Sequence, residues 1–122
     1  MDYKHGQIIW RDLTVSNAEE VKAFYQGVVG WEFSNHDMGD YVDYNVIVKE
    51  TKEVISGICH QRNTNSDIPS VWLSYVYVDD VKKALEGVIE LGGNIVVPLR
   101  KMGEADFAVI EDPAGAIIAL LH

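Results

Sequence analysis

"WRDLTVSNAEEVKAFYQGVVGWEF", residues 10–33, reads as a strand, a capped helix and a second strand, and residues 72–96, "WLSYVYVDDVKKALEGVIELGGNIV", repeat that order. In the first stretch Val21, Phe24, Tyr25 and Val28 stand at i, i+3, i+4 and i+7, the spacing of one helix face, with Glu19, Glu20, Lys22 and Gln26 on the other. Ser16 or Asn17 is placed to cap the start, with Glu19 or Glu20 as capping-box partner, and Gly30 to end the helix. In the second stretch Val81, Ala84, Leu85 and Val88 repeat the spacing, Asp79 or Asp80 caps, and Gly92 ends. Gly27 and Gly87 correspond as well. Each costs about 1 kcal/mol against alanine in a helix, so a close helix–sheet approach or a frayed last turn is expected there.

Strand patterns surround each helix. "QIIWRDLTV" precedes the first, and "WEFSNH", "YVDYNVIVK" and "EVISGICHQ" follow it. "VWLSYVYV" precedes the second, and "NIVVPLR", "DFAVIE" and "GAIIALLH" follow. β-branched and aromatic residues concentrate in these runs. "VKETKEV" and "EDPAGA" read as hairpin turns, and "RNTNSDIP" as a polar link between halves. The prediction is an α+β fold: one domain over residues 1–122, made of two βαβββ modules, about 6–62 and about 70–122. One helix covers one face of each small sheet. The two uncovered faces are expected to form a curved half-barrel sheet around a central cleft, the usual place for a ligand.

Composition narrows the function. Lys and Arg number 10 against 19 Asp and Glu, a formal net charge of −9. That disfavours a nucleic-acid backbone or an anionic membrane as partner and would favour a cationic ligand. Cys59 is the only cysteine, which rules out an intrachain disulfide. The N-terminal "MDYKHGQIIW" lacks a signal-peptide apolar run, and "AGAIIALL" is far shorter than the ~20 residues of a membrane span. A cytoplasmic protein is expected.

"FYQGVVGWEF" (24–33), "VYVDDVKKALEGVIELGG" (76–93) and "EDPAGAIIALL" (111–121) resemble the vicinal oxygen chelate superfamily of glyoxalases, extradiol dioxygenases, methylmalonyl-CoA epimerase and bleomycin- and fosfomycin-resistance proteins. "WRDLTV" and "GICH" resemble its glyoxalase-like subgroup. The resemblance implies a divalent metal held by His, Glu or Gln from the first and last strand of each half. The matching positions here are Trp10, Gly57, Leu73 and Ala119, none with a side chain that ligates such an ion. The usual metal site is expected to be absent, and no cofactor is expected. Among the histidines, His5, His36 and His122 read as solvated. His60 follows Cys59 on a strand and offers either a site role or a structural hydrogen bond.

In the register of that resemblance, alternation directs Trp10, Asp12 and Thr14 of the first strand into the cleft, with Leu13 and Val15 toward the helix. Leu73, Tyr75 and Tyr77 follow from the fifth strand, with Val76 and Val78 toward the helix. Ile55, Gly57 and Cys59 come from the fourth strand and Ile117, Ala119 and Leu121 from the last, while His60 points away. Tyr41, Tyr44 and Phe107 are placed at the rim. Met38, Gly39 and Asp40 form a loop at the cleft mouth. Trp72 alternates out of the cleft as a core or dimer contact. Asp12 would anchor a cation or act as general base, or else bond backbone amides or a tyrosine hydroxyl. Tyr75 and Tyr77 would stack on a flat or cationic ligand, or fill the cleft. Cys59 reads as a small buried hydrophobe or as a nucleophile.

Three functions compete. A metal-free protein would bind a small aromatic or cationic molecule through Trp10, Asp12, Thr14, Tyr41, Cys59, Leu73, Tyr75 and Tyr77. A glyoxalase-like lyase or isomerase, related to lactoylglutathione lyase, would use noncanonical ligands such as His60 and Glu111, or acid–base chemistry at Asp12. A scaffold would have a filled cleft. A homodimer is expected in each case.

Overall fold

A computed structural model describes residues 2–122. Among them the chain forms β1 (Ile8–Val15), α1 (Ala18–Val28), β2 (Glu32–Asp37), β3 (Val42–Ile47), β4 (Val54–His60), β5 (Trp72–Tyr77), α2 (Val81–Glu90), β6 (Asn94–Met102), β7 (Ala105–Glu111) and β8 (Ile117–Leu121). This is the α+β order expected, βαβββ twice. The chain resolves into two compact units: Arg11–Trp72, and the residues up to Trp10 with Leu73–His122.

In the first unit the strands run β2-β3-β4-β1. β2 and β3 are antiparallel, as are β3 and β4, whereas β4 lies parallel to β1 with Leu13 opposite Ile58 and Thr14 opposite Cys59. Helix α1 lies on one face, over a core of Leu13, Val15, Ala18, Tyr44, Val46 and Ile58. Tyr44 is therefore under the helix and not at the rim, because it stands opposite Ile58 on the helix face of β4. Its ring carries Lys22 Nζ 4.4 Å from the centroid. Burial, then the charges of Glu19 and Asp43, hold its hydroxyl pKa above the ordinary value of 10.0.

In the second unit the strands run β5-β8-β7-β6. β5 and β8 are parallel, with Tyr75 opposite Ala119 and Val76 opposite Leu120. Helix α2 sets Val81 and Leu85 against Val78, Ala108 and Leu120. The first residues run beside the end of β5: the Gly6 N–H donates to the Tyr77 carbonyl (2.7 Å) and the Tyr77 N–H to the Gln7 carbonyl (2.8 Å).

The helix caps differ. The Asp80 side chain accepts the Lys83 N–H at 3.1 Å, but Asn17, in the same place before α1, makes no side-chain cap bond. Gly30 and Gly92 end the helices at positive φ (80° and 89°). A Cβ at Gly27 or Gly87 would meet nothing within 4 Å, so these glycines do not mark a close approach to the sheet. Gly93 does mark one: its Cβ would lie 2.7 Å from the Glu111 carbonyl oxygen. The "EDPAGA" turn is set by Asp112, whose carboxylate accepts the Ala114 and Ala116 N–H groups at 2.8 and 3.0 Å. The link between halves is not purely polar, since Ile68 is buried and its carbonyl accepts the Gln61 side-chain amide. Met38 to Asp40 are the tight β2–β3 hairpin, closed by Met38 N–H to the Tyr41 carbonyl (2.9 Å).

Candidate functional site

The sheet face opposite α1 is built by register. The Leu13–Ile58 and Thr14–Cys59 pairs place Asp12 beside Gly57 and Thr14 beside Cys59, because in-register parallel neighbours share a face. Gly57 confirms this: a Cβ there would lie 3.8 Å from Asp12 Cβ and 3.7 Å from Cys59 Sγ. Asp12 is half-buried and Thr14 buried. Of the proposed ligand residues of this unit, Asp12, Thr14 and Cys59 thus share one surface.

The sequence reading missed Asp43, which joins them. It precedes Tyr44 on β3 and so belongs to the opposite face, and its residue is only 3% exposed. Its Oδ1 accepts the His60 backbone N–H at 2.8 Å, and His60 Nδ1 lies 3.1 Å from the same oxygen. A buried carboxylate needs such donors, and His60 supplies both from the end of β4. Cys59 belongs to the same group. Burial first, then the charges of Asp12 and Asp43 and a hydrogen bond to Asp43, push its thiol pKa well above the ordinary 9.0. These surroundings favour the protonated thiol over the thiolate. The alternation in "DYVDYNV" could have shown Asp43, had Tyr44 been assigned to the core first.

Tyr41 is in a neighbouring group. Its ring meets the His60 ring edge-on at 5.6 Å and carries the Arg62 guanidinium 4.1 Å from its centroid. Arg62 in turn reaches Asp40 at 3.6 Å. His60 therefore links Asp43 to Tyr41, and its ring lies 6.1 Å from that of Tyr44.

In the second unit, Leu73, Tyr75, Val97, Phe107, Val109 and Ala119 are all buried. Tyr75 packs against Phe107 with ring centroids 5.8 Å apart, so Phe107 is an interior residue and not a rim residue. Register explains this, since Val109 stands opposite Ala119 and Tyr75 stands opposite the same alanine, whose small side chain leaves space beside them. Tyr77, at the strand's end, lies between Tyr3 (5.7 Å) and His122 (5.2 Å). Trp10 is half-buried. The terminal histidines are anchored and not merely solvated: His122 Nδ1 lies 2.9 Å from the Val78 carbonyl, and His5 Nδ1 accepts the Asp79 N–H at 2.9 Å.

The donor set does not fit the metal that the resemblance implies. The resemblance assigns its four metal positions to Trp10, Gly57, Leu73 and Ala119, whose side chains are not ligands, and among the described residues no three His, Cys, Asp or Glu side chains gather as a metal-binding group. Among the described residues no helix is long and apolar enough to cross a membrane.

Comparison with known proteins agrees with the topology. The chain is 26% identical over 121 residues to CFP32 of Mycobacterium bovis, whose name includes the word glyoxylase; the match covers 98% of this chain and 46% of that protein. It is 26% identical over 127 residues to the anthracycline biosynthesis protein DnrV of Streptomyces peucetius, covering 94% and 46%. The chain thus spans about half the length of the curated relatives it matches. The crystal structure of methylmalonyl-CoA epimerase from Mycobacterium tuberculosis shares the fold, with a TM-score of 0.52 and 13% identity over 99% of this chain and 91% of that one. The model of the Glyoxalase/Bleomycin resistance protein/Dioxygenase superfamily matches residues 7–120, and the chain belongs to that superfamily.

Proposed function

We propose that this domain captures a small organic molecule, aromatic or cationic, without the divalent metal that the resemblance implies. The observation that carries the reading is Gly57. Where the resemblance implies a metal ligand on β4, this chain has no side chain, and Asp12 and the Cys59 thiol border the space a Cβ would take. A ligand atom can approach the backbone there, beside the Asp12 side chain and the Cys59 sulfur, and the net charge of −9 favours a cationic ligand. The buried Tyr75 and Phe107 pair is kept in this reading as an apolar filling of the second unit. A cytoplasmic setting belongs to the same reading.

The test is calorimetric titration with small aromatic and quaternary-ammonium compounds, with and without a chelator. Binding should survive the chelator and be lost in Gly57→Leu and weakened about 10-fold or more in Asp12→Asn. Stoichiometric metal that the chelator strips, with ligand binding lost alongside it, would overturn the reading.

A second reading, acid–base catalysis by a glyoxalase-like lyase or isomerase, is favoured by the Asp43–His60 pair. The carboxylate accepts from the Nδ1 side of the ring, so a neutral His60 would carry its lone pair on Nε2. In that reading His60 replaces Asp12 as the base. Turnover lost in His60→Gln and retained in Asp12→Asn would select it.

A further inference from the structure

On the helix side of the second unit, a groove of about 280 Å³ runs between the C-terminal half of α2 and the end of β7. Ile110 packs on that side, whereas Phe107 alternates to the other, so the groove and the Tyr75–Phe107 pair are on opposite faces of the sheet. Two glycines shape it. At Gly93 the chain is pressed against β7, since a Cβ there would meet the Glu111 carbonyl oxygen at 2.7 Å and Val88 Cγ1 at 3.0 Å. At Gly87, inside the helix, a Cβ would meet nothing within 4 Å among the described residues, so the missing side chain leaves the groove open. Neither a turn nor a close approach calls for glycine at this point of α2, and the helix is weaker there than with alanine. Half-buried Ala84 and Ile110 line the groove where it meets the core, and Leu91, 80% exposed, and Pro113 line it at the surface.

We propose that this groove is a second ligand site, separate from the one at Gly57, and that it takes a small organic ammonium: one ring or a short chain carrying a single positive charge. Volume sets the size, since about 280 Å³ is at the small end of the ~300–1,000 Å³ range of ligand pockets. The lining sets the body, being apolar apart from Glu111 and Asp112. Charge sets the head group. Residues 84–99 and 107–121, which supply both walls, include the carboxylates Glu86, Glu90, Glu111 and Asp112 and no Lys, Arg or His. The hydrogen bonds at the rim use one oxygen of each lining acid. Glu111 Oε1 accepts the Asn94 side-chain amide at 3.0 Å, and Asp112 Oδ1 accepts the Ala114 and Ala116 N–H groups. Among the described residues these bonds leave Glu111 Oε2 and Asp112 Oδ2 to receive an ammonium. The C-terminal end of α2 adds its partial negative charge and has no basic residue in its last turn to offset it.

Titration of the isotopically labelled full chain with benzylammonium chloride at neutral pH, followed by amide NMR shifts, tests it. Saturable shifts are expected at Gly87, Val88, Gly93 and Glu111, with half-saturation at about 1 mM or below. Neutral benzyl alcohol and anionic benzoate should each bind about 10-fold more weakly or worse. Gly87→Leu should fill the groove and abolish these shifts while raising the melting temperature, since leucine is the better helix former. Leu91→Lys, at an exposed position, should weaken binding about 5-fold or more by setting a like charge at the mouth. Gly57→Leu should leave the groove shifts unchanged, so failure of this site and failure of the Gly57 site are told apart. Three outcomes overturn the proposal: no saturable shift at these amides up to about 20 mM, benzoate bound as tightly as benzylammonium, or undiminished binding in folded Gly87→Leu protein. Shifts that appear at Asp12, Gly57 and Cys59 alone overturn it too, and place the ammonium at the Gly57 site instead.

Discussion

At Cys59, burial and two neighbouring carboxylates, Asp12 and Asp43, decide the chemistry of one atom. A lone cysteine in a glyoxalase-like chain invites a nucleophilic reading, but burial and two nearby carboxylates favour the protonated thiol. Native protein should therefore react with iodoacetamide at pH 8 far more slowly than protein unfolded in urea, as mass spectrometry would show; equal rates would refute this. The raised folded-state pKa has a stability consequence of fixed sign. Its contribution is complete below the ordinary 9.0 and is lost as pH rises beyond it, by up to about 1.4 kcal/mol per pH unit, because the unfolded chain gives up its proton first. Urea midpoints should fall between pH 8 and pH 10, and fall less steeply in Cys59→Ala. Asp43 is the other decisive residue. Asp43→Ala leaves the His60 N–H without its acceptor in a buried setting and should cost about 2–4 kcal/mol in urea unfolding, with Asp43→Asn milder. The sequence reading found Cys59 and missed Asp43, because two adjacent polar-and-aromatic strand positions have no sign of their own. Only the Tyr44–Ile58 pairing tells which of them goes to the core.

At the scale of the element, the two helices look equivalent in sequence and are not equivalent in structure. Asp80→Ala should cost about 1 kcal/mol, since its carboxylate accepts the Lys83 N–H, while Asn17→Ala should cost clearly less because that side chain makes no cap bond. Thermal unfolding of the pair would check the asymmetry. The glycines are a second case. Gly27→Ala should stabilise the chain by up to about 1 kcal/mol, as the added methyl meets nothing and the helix gains propensity. Gly93→Ala should destabilise it, as its methyl would press on the Glu111 carbonyl oxygen, which belongs to backbone that cannot turn aside. The opposite result at either position would mean that the helix ends lie differently. Element order, helix bounds and the alternation of β1 and β5 were legible beforehand, because periodicity and caps are local. The exposure of Phe24 and Val28 beside the packed Val21 and Tyr25 was not, since it depends on which residues of the sheet lie beneath the helix.

For the whole molecule, the charge imbalance is the dominant long-range term. Exposed pairs such as Lys52–Glu32 and Lys101–Asp106, both at 2.7 Å, contribute little, whereas a net −9 on 122 residues repels itself throughout. The melting temperature should rise as NaCl goes from about 10 to about 300 mM, since screening relieves repulsion more than it weakens surface pairs. A fall would mean that the ion pairs outweigh the repulsion. By itself, the sequence determined the βαβββ repeat and pointed to the superfamily, both of which are matters of spacing and side-chain type. The tertiary structure alone decided that Asp43 joins Asp12 and Cys59, that Phe107 and Tyr44 are interior, and that Phe24 faces water. Each of those outcomes depends on which strand lies beside which, and long-range pairing leaves no local mark in the chain.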